Sequence, residues 1–111
     1  MDYEIQINEN MIFADEKYQI YDLIADENIK LRQLESGYIK TNLDIKLEYP
    51  DDYKLVLITN SVNSNEQINV RNMFLPIYNN SELKICIYNN SNFKGLSINK
   101  GDVVGAIVIG F

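Results

Sequence analysis

Apolar and polar residues alternate along several short stretches of the chain, which is the pattern of strands with one buried face. Residues 43–48 and 83–88 show it most clearly, because Leu or Ile occupies every second position. Polar turn-forming segments separate these stretches about every ten residues, and no persuasive helical period occurs. The pattern predicts one all-β domain over residues 1–111, built as a sandwich, jelly roll or related barrel.

Four further segments lead to specific predictions. Residues 11–21 lack a clean period and predict a loop followed by a strand, and residues 35–37 predict a turn. Asn99-Lys100-Gly101-Asp102 predicts a tight hairpin turn. Residues 103–111 predict a strand that is apolar on both faces. Because a small sandwich covers little surface, we expect this strand to contact a neighbouring subunit.

The charge of the chain restricts its partners. The formal net charge is −6, which disfavours nucleic acid and anionic membrane surfaces. The first residues are acidic and do not resemble a signal peptide, and no apolar stretch is long enough to cross a bilayer. We expect a soluble cytoplasmic protein without nucleic-acid or membrane partners. Frequent Asn, Ile, Lys and Tyr are typical of AT-rich genomes, including those of phages and viruses, for which the location is the host cytoplasm.

The chain contains one cysteine, Cys86, and no histidine. A lone cysteine excludes an internal disulfide, and the position of Cys86 inside a predicted strand indicates a packing residue. Without histidine, the chain itself supplies neither His-based acid–base catalysis nor a His-ligated metal site.

Five segments of the sequence carry a family resemblance when taken in order. They are Tyr21-Asp22-Leu23 and residues 37–47, 55–63, 73–82 and 98–107. Together they resemble the motifs of the trimeric dUTPase family, whose fold is shared by dCTP deaminases, and Tyr21-Asp22-Leu23 resembles the first of these motifs. The resemblance implies a dUTPase-like jelly-roll or β-clip barrel that assembles as a homotrimer.

The catalytic positions of the family are replaced in this chain. In the third motif, the aspartate that orients the attacking water falls on Pro76, which has no acid and no N–H. The second aspartate of that motif falls on Tyr78, and the tyrosine that packs under the sugar falls on Asn79. No Asp lies between Asp52 and Asp102, so a shifted register restores no acid.

The phosphate-binding positions are replaced as well. The arginine and serine of the second motif fall near Thr59 and Asn60, and the arginine and glutamine of the fourth fall on Val103 and Ala106. The glycine-rich arm of the fifth motif has no counterpart in the sequence. Because phosphoryl transfer depends on cations and a base, the resemblance implies a protein without catalytic residues.

Asp22 is the one retained family position, which in dUTPases helps to hold Mg²⁺ through water. A lone carboxylate does not capture this ion. We therefore expect no metal site and no cofactor, with Mg²⁺ needed only if the chain is a hydrolase after all.

Seven residues remain as candidates for ligand binding. They lie on a strand and on two polar loops, where loops on a rigid scaffold often carry function. Each also has an ordinary structural explanation, because Asp, Asn and Ser are common at strand ends and in turns. The candidates are Asp22, Thr59, Asn60, Ser61, Tyr78, Asn79 and Asn80.

These observations favour a catalytically inactive dUTPase-like accessory protein of a virus or phage. It is expected to bind a nucleotide-type ligand, with sequestration of a nucleotide signal as one role, or a host protein. Two alternatives stay open: an active dUTP pyrophosphatase or related nucleotide hydrolase, and a small structural jelly-roll assembly protein.

Overall fold

The computed structural model describes residues 4–7, 11–14, 17–46, 55–74 and 84–110. Within these ranges the chain forms twelve strands. They are β1 (Glu4–Ile7), β2 (Met11–Ala14), β3 (Tyr18–Ile24), β4 (Ile29–Leu31), β5 (Ser36–Lys40), β6 (Leu43–Lys46), β7 (Leu55–Thr59), β8 (Ile68–Val70), β9 (Met73–Phe74), β10 (Lys84–Asn89), β11 (Leu96–Ile98) and β12 (Val103–Gly110). The same ranges contain no helix long and apolar enough to cross a membrane.

The strands form two larger sheets and two small ones, and their pairings are antiparallel. The five-stranded sheet has the order β2-β3-β12-β7-β9, and the three-stranded sheet has the order β5-β10-β8. Two-stranded ribbons are formed by β1 with β6 and by β4 with β11. The predicted all-β architecture is confirmed.

The hydrophobic core lies between the two larger sheets. In β10 the predicted alternation is confirmed, because Ile85 and Ile87 are buried while Lys84 is exposed. An added Cβ at Gly105 of β12 would lie 3.1 Å from Val70 Cγ2 and 3.5 Å from Ile85 Cδ1. The five-stranded sheet therefore faces β8 and β10 of the other sheet closely, and a glycine allows that approach.

Two predicted loop boundaries are wrong. Residues Met11–Ala14 form strand β2 instead of a loop, and the register to β3 shifts between Met11 and Phe13. Such a bulge interrupts the two-residue period, so the sequence pattern hides the strand. The turn predicted at residues 35–37 lies at residues 33–34 instead, where Leu34 adopts a φ of 57°. Leucine is rare in that conformation and gives no sign of a turn.

The turn at residues 99–102 is present, but it does not close a hairpin. Strand β11 pairs with β4, whereas β12 pairs with β3 and β7, so the turn carries the chain from one sheet to another. The N–H of Asp102 donates to the Asn99 carbonyl at 3.0 Å, and Gly101 has a φ of 99°. Turn residues alone do not say whether the flanking strands pair.

Strand β12 packs one face into the core of its own chain. It lies at the centre of the five-stranded sheet, and Val104, Ile107 and Ile109 are buried in the core. Its central position covers its edges, whereas Val108 on the outer face of the sheet is only half-buried. The expected contact of this strand with a neighbouring subunit stays a prediction.

Candidate functional site

Asp22 is buried in the middle of β3 although it is charged. The next residue, Leu23, belongs to the core, and successive side chains of a strand point to opposite faces. Asp22 therefore lies on the outer face of the five-stranded sheet. It pairs with Ala106 of β12, which pairs on its other side with Thr59 of β7. Asp22 and Thr59 thus occupy one row across the sheet.

The loop after β7 covers Asp22 and engages both carboxylate oxygens. The Ser61 hydroxyl donates to Asp22 Oδ1, and Asn63 Nδ2 donates to Oδ2 at 2.9 Å. Ser61 Oγ also accepts a hydrogen bond from the Asn63 N–H at 3.1 Å. Both side-chain donors are neutral, so hydrogen bonding compensates the buried carboxylate at this point.

The same loop presents an exposed apolar residue. The Ser61 carbonyl accepts hydrogen bonds from the N–H and the hydroxyl of Ser64, at 3.3 and 3.0 Å, which closes a turn over residues 61–64. Ser61 and Asn63 face Asp22, and Val62 between them is 92% exposed. Asp22 therefore anchors this turn to the sheet.

The structure brings together part of the predicted site. Asp22 and Ser61 are in contact, and Thr59 lies on the same sheet row. Asn60 has a structural role, because its Oδ1 accepts the N–H of Val70 at 2.7 Å and fixes the end of β8 to the loop. The other predicted residues lie outside the described residues: Tyr78, Asn79 and Asn80.

Sequence reasoning missed Asn63, which completes the cover over Asp22. Asn63 lies in a polar segment of the sequence, but one amide among several Asn and Ser residues does not stand out. Its role depends on the turn that directs Ser61 and Asn63 to the same carboxylate. Ser61 and Asn63 are two positions apart, a spacing that occurs in many loops and does not by itself predict the turn.

The described residues around Asp22 do not fit a magnesium site. Within the described ranges no three Cys, His, Asp or Glu side chains are grouped to hold a metal. Both Asp22 oxygens already accept hydrogen bonds from Ser61 and Asn63. Mg²⁺ requires octahedral oxygen ligands that include carboxylates or bound water, and this carboxylate is turned to protein donors instead.

A second feature is a cleft of about 250 Å³ on the three-stranded sheet. Tyr38 of β5 pairs with Cys86 of β10, and the N–H of Arg71 donates to the Cys86 carbonyl at 3.0 Å. Lys84 lies two residues before Cys86 on the same face of β10. The lining residues are Tyr38, Arg71, Asn72, Lys84, Ile85 and Cys86.

The cleft combines a ring with two cations. Tyr38 is 63% exposed, and both Arg71 and Lys84 are exposed. In the described part of the chain neither cation forms an ion pair. Such a surface suits a planar group on the ring and an anionic group at the cations. The sequence does not predict it, because the pairing of β5 with β10 cannot be derived from local pattern.

Comparison with known proteins gives matches among solved structures alone. Neither a protein-family model nor a curated protein matches the chain. A variant dUTPase from phage phi11 of S. aureus superposes with a TM-score of 0.68 and 16% identity, covering 100% of this chain and 92% of that one. The dUTPase of Staphylococcus bacteriophage 80alpha with dUpNHpp gives 0.69 and 13%, covering 98% and 82%.

The chain has a dUTPase-like fold. The predicted family resemblance is therefore confirmed at the level of the fold. The phi11 structure describes how that protein coordinates a structural Mg(II) ion. In this chain, the Asp22 carboxylate fastens the loop after β7.

We expect Ser61→Ala to lower the free energy of unfolding by about 1–3 kcal/mol, because it leaves a buried carboxylate oxygen without its donor. Urea unfolding followed by circular dichroism measures the change. Ser36→Ala, an exposed serine of β5, is the matched control and should stay within about 0.5 kcal/mol of wild type. Equal stability of the two variants would contradict the anchoring role of Asp22.

Proposed function

We propose that this protein is a catalytically inactive dUTPase-like protein that binds a nucleotide-type ligand as a homotrimer. An accessory role in a virus or phage, inside the host cell, is the setting that fits its phage dUTPase neighbours. The observation that carries the proposal is the cleft between Tyr38, Arg71 and Lys84.

The chemistry of the cleft supports a nucleotide. A base stacked on an exposed aromatic ring contributes about 1–3 kcal/mol, and Arg binds phosphate oxygens through two parallel hydrogen bonds. The exposed Asn72 amide, with donors and an acceptor, suits the edge of a base. Arg71 and Lys84, which form no ion pair in the described part of the chain, would attract an anion locally although the net charge of the whole chain is negative.

The hydrogen bonds of Asp22 support the proposal that the protein is catalytically inactive. Hydrolysis of a nucleoside triphosphate needs a base for water and cations or Mg²⁺ to offset developing charge. The Asp22 carboxylate is held by Ser61 and Asn63, and the aligned positions of the second motif are Thr59 and Asn60. Neither residue offers the positive charge of the family's arginine.

One observation also bears on the assembly-protein alternative. That alternative depends on an apolar strand able to join chains, and β12 lies between β3 and β7 with its inner face in the core, which leaves its outer face for such a contact. A discrete trimer, with a mass three times the 12.9 kDa of one chain, is what we propose instead. Sedimentation velocity of the purified protein distinguishes the trimer from larger particles.

The binding test is a thermal-shift panel of dUTP, dUMP, other deoxynucleoside triphosphates and cyclic di- and trinucleotides, with and without Mg²⁺. A ligand at a hundred times its dissociation constant should stabilise the protein by about 2.7 kcal/mol. Lys84→Glu should abolish the shift, because it reverses one of the two charges that face the anion. Lys30→Glu, an exposed lysine outside the cleft, carries the same change of net charge and should keep it.

Three results would count against the proposal. A panel in which no nucleotide shifts the melting temperature would contradict nucleotide binding. An equal loss of the shift in Lys84→Glu and Lys30→Glu would show that the binding depends on net charge alone. Release of pyrophosphate from dUTP with Mg²⁺, abolished by Asp22→Ala, would favour the hydrolase alternative. Each result is read from the same purified samples.

A further inference from the structure

Two large apolar side chains are exposed on neighbouring loops. Phe93 in the loop after β10 is 79% exposed, and Leu34 in the loop after β4 is 52% exposed. The N–H of Leu34 donates to the Ser91 carbonyl at 3.1 Å, so the two loops are in direct contact. We call residues 32–35 and 90–95 the loop surface.

The loop surface is held rigidly from below by Asn89. This side chain is fully buried, and its Nδ2 donates to the carbonyls of Arg32 and Lys94, both at 3.0 Å. Its Oδ1 accepts from the N–H of Ser91 at 3.1 Å and from Gln67 Nε2 at 3.3 Å. Rigid presentation lowers the entropic cost of binding a partner.

The backbone of the loop surface is also strained at an apolar residue. Leu34 has a φ of 57°, a conformation that brings the Cβ of a residue too close to the carbonyl oxygen that follows it. Glycine or asparagine would adopt it more easily. Strain of this kind is concentrated at ligand clamps and other functional sites.

A cleft of about 490 Å³ is lined by residues of the same two loops, among them Arg32, Glu35 and Gly95. Its walls carry the exposed cations Lys30 and Arg32, and the exposed Lys94 lies one residue beyond Phe93. None of the three forms an ion pair in the described ranges. The acids nearby are Glu35, whose Oε1 accepts the Arg32 N–H at 3.0 Å, and Glu66, whose carbonyl accepts Asn90 Nδ2 at 2.8 Å.

We propose that the loop surface docks an acidic segment of a partner protein that carries apolar side chains. Lys30, Arg32 and Lys94, which form no ion pair in the described ranges, outnumber the nearby acids and provide local charge complementarity. Aromatic anchors supply most of the energy of such contacts. A nucleic acid is disfavoured, because a long polyanion would also meet the negative field of the whole chain. The surface is separate from the Tyr38 cleft and does not depend on the nucleotide proposal.

The test is fluorescence anisotropy with a labelled nonapeptide in which Phe and Leu alternate with Asp and Glu. We expect a dissociation constant on the order of tens of micromolar, since weak transient contacts lie in that range. Phe93→Ser and Lys94→Glu should each weaken binding by about tenfold or more. Val62→Ser, at another exposed apolar loop tip, and Lys84→Glu, in the other cleft, should leave it unchanged.

Several results would overturn the proposal. No anisotropy change up to roughly 1 mM peptide would do so, because contacts weaker than that have no specificity to explain. Equal binding of a nonapeptide with Lys in place of Asp and Glu would show that the cations of this surface do not select an acidic partner. Binding of a single-stranded oligonucleotide that Phe93→Ser does not affect would identify a polyanion site. A smaller sedimenting species in Phe93→Ser would identify a second copy of the chain as the occupant.

Discussion

Replacing Asn89 by alanine should lower the free energy of unfolding by about 3 kcal/mol, a large fraction of the stability of a small domain. The amide uses both of its donors and its acceptor on groups from three loops. Removing it leaves the Arg32 and Lys94 carbonyls and the Ser91 N–H without these partners. Urea unfolding, followed by circular dichroism, measures the change.

Asn92→Ala is the matched control for this prediction. Asn92 lies in the same loop, is exposed and should change the free energy of unfolding by no more than about 0.5 kcal/mol. Amide hydrogen exchange adds local detail, because Asn89→Ala should speed exchange at Leu34 and Ser91 more than elsewhere. If the two variants were equally stable, Asn89 would not organise these loops.

We expect Gly105→Val to destabilise the protein by about 3 kcal/mol or to prevent folding. The first added carbon would already lie 3.1 Å from the Thr59 carbonyl oxygen and 3.1 Å from Val70 Cγ2. A backbone oxygen in the same sheet cannot move away without breaking strand pairing. The soluble yield and the thermal midpoint of the variant measure the effect.

The exposed position Ser97 on β11 offers a control for side-chain size. Ser97→Val adds apolar volume to a strand without meeting the core, so its midpoint should stay close to that of wild type. A Gly105→Val protein as stable as Ser97→Val would show that the two larger sheets have room to separate.

Much of the fold is predictable because it depends on local pattern. The strand at residues 84–89 follows from alternating Ile85 and Ile87, and the turn at Gly101 follows from its composition. The local pattern does not determine which strands pair with one another. The neighbours of β12 are strands that begin far earlier in the chain, and no local rule connects Val108 with Ile20 and Leu57.

The candidate site was also predictable only in part. Asp22, Thr59, Asn60 and Ser61 are among the seven predicted candidates. The structure brings Ser61 into contact with Asp22 and places Thr59 on the same sheet row, whereas Asn60 binds Val70. The Tyr38 cleft was not predicted, since it needs the register that sets Tyr38 opposite Cys86. The loop surface was not predicted either, because an exposed Phe in a polar loop has no period to mark it.

The position of β12 has a consequence for synthesis in the cell. It follows every other described strand in the chain, yet it lies between β3 and β7. A nascent chain on the ribosome therefore cannot complete the five-stranded sheet until residues 103–110 have left the exit tunnel. Until then two apolar strands have unpaired edges, which are the groups that chaperones shield and that drive aggregation. Slowing translation before residue 103 would prolong that exposure without helping the sheet to form.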